Sequence, residues 1–185
     1  MEPPVVPPDR LDGWRRVDEA TDRAFAAGPV SVDASTVRYE RAASTPPRPF
    51  CFASRLRIRP ATAPNPALTA LVERQARSGF RDRLAERDIE SVEHRGDREI
   101  AIDDPAASRA TLSTFRGVAR AASEDGRPVP VEALLAVWST DEYLLGGGAY
   151  PLDGRSYPSG RGPADARREL LGIVRGIGPP VDRDG

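Results

Sequence analysis

The stretch YLLGGGAYP, residues 143–151, decides how the chain is read. Three consecutive glycines after an apolar run raise the question of a phosphate-cradling loop. A P-loop ends in lysine and serine or threonine and opens a helix, whereas these glycines lead into Ala149, Tyr150 and Pro151. A dinucleotide fingerprint needs GxGxxG between a strand and a helix, and neither the spacing nor the helix is present. The alternative is that Gly146, Gly147 and Gly148 lie in or at the end of a strand. Missing side chains there allow a bulge or the close approach of a helix.

Upstream of this stretch, PVEALLAVW at 130–138 has no clean polar face, since Val131, Leu134, Leu135, Val137 and Trp138 point to both sides. Such a run predicts a central strand covered on both faces. STDE then makes a turn into the glycine strand. PFCFASRLRIRP at 49–60 alternates instead. Phe50, Phe52, Leu56 and Ile58 share one face and Arg55, Arg57 and Arg59 the other, because successive strand side chains point to opposite sides. Residues 21–42, rich in valine and aromatics and interrupted by Gly28-Pro29, predict two strands joined by a turn. VEHRGDREIAI and ATLSTFRGVARA are strand-like, with turn signals at Arg95-Gly96-Asp97, Asp103-Asp104-Pro105 and Glu124-Asp125-Gly126.

Two segments carry the helical period. Asn65 is a good N-cap and Pro66 suits the first helical position, where its missing N–H is not needed. Leu68, Val72, Ala76, Phe80 and Leu84 then recur every four residues, with Leu71 beside them and Glu73, Arg77 and Arg81 opposite. This predicts a long amphipathic helix from Pro66 to about Glu86. A C-terminal helix is expected from Pro163 to about Arg175, marked by Leu170, Leu171, Ile173 and Val174. The fold class is therefore α+β: a largely antiparallel sheet with one long helix and a C-terminal helix on its faces. Residues 14–178 read as a single domain. Residues 1–13, rich in proline, read as a disordered or extended arm, and 179–185 as a flexible tail.

Composition excludes several chemistries. The 185 residues carry 27 basic side chains, all arginine, against 28 acidic ones. Without lysine there is no Schiff base and no lysine general base. A formal net charge of -1 gives no overall basic field, and no aromatics interleave the arginines, which argues against nucleic acid as a partner. One cysteine, Cys51, and one histidine, His94, cannot form a disulfide or a thiolate–imidazole zinc site, so no metal and no cofactor are expected. Cys51 reads as a small hydrophobe on its strand. No segment has the pattern of a secretory signal or approaches membrane-spanning length, so a cytoplasmic location is expected.

The arginine ladder Arg55, Arg57 and Arg59 is the candidate binding site. Three planar guanidinium groups on one sheet face suit a carboxylate or phosphate. The alternative is a salt-bridged face neutralised by acids such as Asp33, Glu99 or Asp103. No catalytic set stands out: His94 lies between Glu93 and Arg95 with no nucleophile in a recognisable elbow.

The order of elements, from the strand FCFASRLRIRP through the helix to LLAVWSTDEYLLGGGAYP and ADARRELLGIVRGIG, resembles the PsbP and Mog1-like α/β/α sandwich. The lysine-free, arginine-rich chain is also similar to proteins of halophilic archaea. The first resemblance, which spans Trp14 to Ile177, implies a non-enzymatic binding or assembly role and carries over no functional residue. The reading that results is a binding or adaptor domain for a protein partner or a small anionic ligand. The second reading is a small enzyme or enzyme accessory domain using carboxylates, arginines and His94.

Overall fold

In the computed structural model, residues 1–42, 46–120 and 126–180 are described. Seven strands, β1 (Trp14–Ala27), β2 (Val30–Arg41), β3 (Phe50–Arg59), β4 (Ile89–Ile100), β5 (Ala110–Ala119), β6 (Val129–Ser139) and β7 (Tyr143–Pro151), form one sheet. Their order is β1-β2-β3-β7-β6-β5-β4, with every neighbouring pair antiparallel. The fold is thus mixed α+β. Helix α1 (Pro66–Ala85) lies on one face of the sheet and α2 (Pro163–Gly176) on the other.

The glycine stretch is the middle of the molecule. β7 is buried along its whole length and pairs with β3 on one side and β6 on the other, so its backbone groups serve two ladders and not an anion. Each glycine leaves room that a Cβ would take: at Gly146 it would run into Ile177 just beyond α2, at Gly147 into the Leu134 carbonyl, and at Gly148 into the Phe50 carbonyl. β6 is buried on both faces from Val131 to Trp138, as a central strand covered by a helix on each side must be.

Alternation sorts the two cores. Phe50, Leu56 and Ile58 of β3 face the α1 layer with Leu68, Val72, Phe80 and Leu84, while Cys51 and Ala53 face the α2 layer with Leu170, Ile173 and Val174. Asn65 caps α1 by accepting a hydrogen bond from the Leu68 amide at 3.0 Å. The helix is twenty residues long, and Glu86 is its C-cap. Arg77, expected opposite the apolar stripe, instead faces the sheet, because it lies two turns before the buried Leu84 on nearly the same side of the helix: its Nε donates to Ser113 Oγ at 3.1 Å.

One turn signal requires correction. Arg95-Gly96-Asp97 does not end a strand, because β4 runs through it with a register shift between His94 and Gly96. Gly96 takes a φ of 151°, open to glycine, and the strand bends there while keeping its pairing with β5. Residues 1–13 run against the α2 layer: Val6 is buried among that core, Val5 bridges Gly178, and Arg10 bonds the Gly172 carbonyl and Asp103. Of the C-terminal tail, 181–185 lie outside the described residues, as do 124 and 125 of the third turn signal.

Candidate functional site: a groove beside the first helix

The arginine ladder lies on the α2 side of β3, as alternation requires. Arg55 forms an ion pair with Glu142 of the β6–β7 turn, although its buried Nε has no aligned hydrogen bond. Arg59 lies 3.3 Å from Asp33 on the neighbouring β2. Arg57 is exposed and has no ion pair among the described residues. Of the acids named from sequence, Asp33 does neutralise the ladder, whereas Glu99 pairs with Arg109 and Asp103 with Arg10. The three guanidinium groups therefore do not present one uncompensated charge.

The opposite face holds the more open feature. α1 packs over β6 and β4, which leaves the β1–β3 flank of the same face less covered. A groove with a cavity volume of about 160 Å³ runs between that flank and the helix. It is smaller than the pockets that enclose drug-sized ligands and suits a slender one. Its floor is apolar, formed by Ala34, Phe52, Leu56, Leu135 and Leu145, and its helix wall is Val72, Ala76, Gly79 and Phe80. Phe52 and Phe80 meet at a centroid distance of 5.6 Å, and Phe80 continues to Phe115 at 5.8 Å.

Two hydroxyls interrupt the apolar floor. Thr36 on β2 and Ser54 on β3 are register partners, 8% and 6% exposed, and their oxygens are 2.7 Å apart. A hydroxyl pair uses one of its two protons for the mutual bond; the other has no acceptor among the described residues. Because buried polar groups are costly when unmade, a spare donor in a concave floor is a place for an acceptor atom. At the rim, Arg23 and Arg83 have no ion pair among the described residues, while Asp22 brings a carboxylate. None of Thr36, Ser54, Gly79 and Arg83 was singled out by the sequence. A threonine and a serine in unrelated segments become neighbours only through the β2–β3 register.

His94 belongs to a different cluster. Its Nε2 is 2.8 Å from Asp97 Oδ1, and the same oxygen accepts the Ser113 hydroxyl at 2.6 Å. The carboxylate stands between imidazole and hydroxyl, so the histidine is not placed to take the serine proton, and Ser113 also accepts from Arg77. On the α2 side, a smaller concavity beside Trp14 and Tyr157 is filled with internal charge. Glu169 there accepts from Trp14 Nε1 at 2.9 Å and pairs with Arg41 and Arg161. Cys51 is 1% exposed, and burial pushes its thiol well up, so it has the environment of an inert packing group. Among the described residues no cluster of three metal-ligating side chains occurs, and no helix is long and apolar enough to cross a membrane.

An antiparallel sheet carrying a helix on each face, with an open groove beside one of them, defines the class as a helix–sheet–helix α+β protein. The chain belongs to the DUF6517 family, a domain of unknown function, which it matches over residues 3–178. No curated protein and no solved structure matches it.

Proposed function

We propose that the protein is a non-enzymatic binding domain that takes a small molecule with an apolar body in the groove between α1 and the β1–β3 flank. The observation that carries this reading is the pairing of an apolar, aromatic floor with a buried hydroxyl pair whose second proton has no acceptor among the described residues. A purely structural face would have closed over these groups or replaced them with apolar ones. Binding of Nile red, a neutral apolar dye, tests it together with the Gly79→Phe variant. Nothing lies within 4 Å of a Cβ built at Gly79, so the new ring enters the groove and not the core. The wild type is expected to bind the dye and the variant to lose at least about tenfold in affinity; a dye that ignores the substitution contradicts the proposal.

A second reading keeps the arginine face as the anion site, and it rests on Arg57, which is exposed and has no acid partner among the described residues. Replacing Arg57 with Ser then abolishes binding of inorganic phosphate or acetate at that face. Unchanged affinity removes this reading and leaves the groove untouched.

A further inference from the structure

The groove has a direction. Thr36, Phe52, Ser54, Phe80 and Arg83 line both the wide apolar section and a second, adjoining section of about 80 Å³, so they mark the junction between the two. On the wide side the lining is apolar, with Phe25, Leu56, Val72 and Leu145, and its two rim charges, Asp22 and Arg23, are of opposite sign. On the other side the lining turns basic: Arg38, Arg83 and Arg87 against a single carboxylate, Glu86. Arg38 is held by Asp18 at 2.7 Å and Arg87 by Glu40 at 3.0 Å, which leaves Arg83 as the guanidinium of this end with no ion pair among the described residues.

Resting on the groove reading above, we infer that its ligand is an amphipathic carboxylate. The head lies at the junction, where Arg83 and the spare hydroxyl proton of the Thr36–Ser54 pair both donate, and the apolar body extends over Phe52 toward Leu56 and Phe25. A carboxylate is the acceptor-only group that matches this set: it takes two donors without presenting a proton of its own. A neutral alcohol head would satisfy the hydroxyl but make no ion-paired bond to the guanidinium. Apolar contact supplies the affinity and the head supplies the orientation.

Calorimetric titration of the full chain with decanoate and with 1-decanol separates the two ideas. The wild type is expected to bind decanoate at least about tenfold more tightly than decanol, the ratio a charge-assisted hydrogen bond gives. Arg83→Gln is expected to remove that preference while leaving decanol binding unchanged; Arg83 is exposed, so the fold does not depend on it. Equal affinities in the wild type, a preference that survives Arg83→Gln, or Nile red bound without decanoate overturns the head-group inference alone. Failure of Nile red, decanol and decanoate together overturns the groove itself.

Discussion

At the scale of single residues, the sheet depends on positions that only glycine fills. Gly147 is one of them: a methyl group there would run into the Leu134 carbonyl of the paired strand and press on Phe52. Gly147→Ala is expected to cost about 3 kcal/mol in urea unfolding, as an overpacked core does when backbone must shift. A loss under 1 kcal/mol would mean that the strands are less tightly apposed than described. Asp97 makes a pH prediction. Burial by itself would raise its pKa, but hydrogen bonds from Ser113 and His94 and the nearby Arg77 charge outweigh it, and the carboxyl is held below its ordinary value. A lowered folded-state value stabilises above the unfolded pKa of about 3.9 and is lost as pH falls through the folded one. The stability deficit of Asp97→Asn is therefore expected to be constant near neutrality and to shrink below about pH 4. A deficit unchanged at pH 3 would contradict the assignment.

At the scale of elements, local pattern carried most of the information. Alternation in residues 50–58, the Asn65-Pro66 start of α1 and the two-faced apolar run of β6 each follow from side-chain direction and capping chemistry, and each is found where those rules put it. Arg95-Gly96-Asp97 misled for a physical reason. Glycine punctuates turns and strand bulges alike, and only the pairing of β4 with β5 distinguishes them. Gly79 is the weak link of α1, an exposed helical glycine with open space around it. Gly79→Ala is expected to raise stability by about 1 kcal/mol, read from the thermal or urea midpoint, because alanine loses less backbone entropy in a helix. Destabilisation by the same change would mean that this turn of α1 is not helical in solution.

At the scale of the whole molecule, the sites were hidden from the sequence because they are made by register and layering. The arginine ladder was legible, as alternation alone predicts it; that Glu142 and Asp33 answer two of its members depends on a turn and a neighbouring strand. Thr36, Ser54 and Arg83 come from three elements and carry no motif. The α2 layer is tied to the sheet by Glu132, a carboxylate 5% exposed that accepts from Tyr150 and pairs with Arg167 of α2 and Arg116 of β5. Burial and the bond to Glu132 push the Tyr150 phenol up, so it stays a donor throughout the physiological range. Glu132→Ala leaves the buried Tyr150 phenol and the partly exposed Arg167 without their acceptor and is expected to cost about 1–3 kcal/mol in equilibrium unfolding; a near-neutral effect would show that water replaces the carboxylate. The ligand is expected on the α1 side of the sheet and not on the α2 side. Methyl NMR during a decanoate titration addresses it directly, since the methyls of Leu56, Val72, Leu135 and Leu145 lie on the α1 side and those of Ile173, Val174 and Ile177 on the α2 side. Saturable shifts are expected in the first group with the second unmoved. Shifts confined to the second group, or none in either, would contradict it.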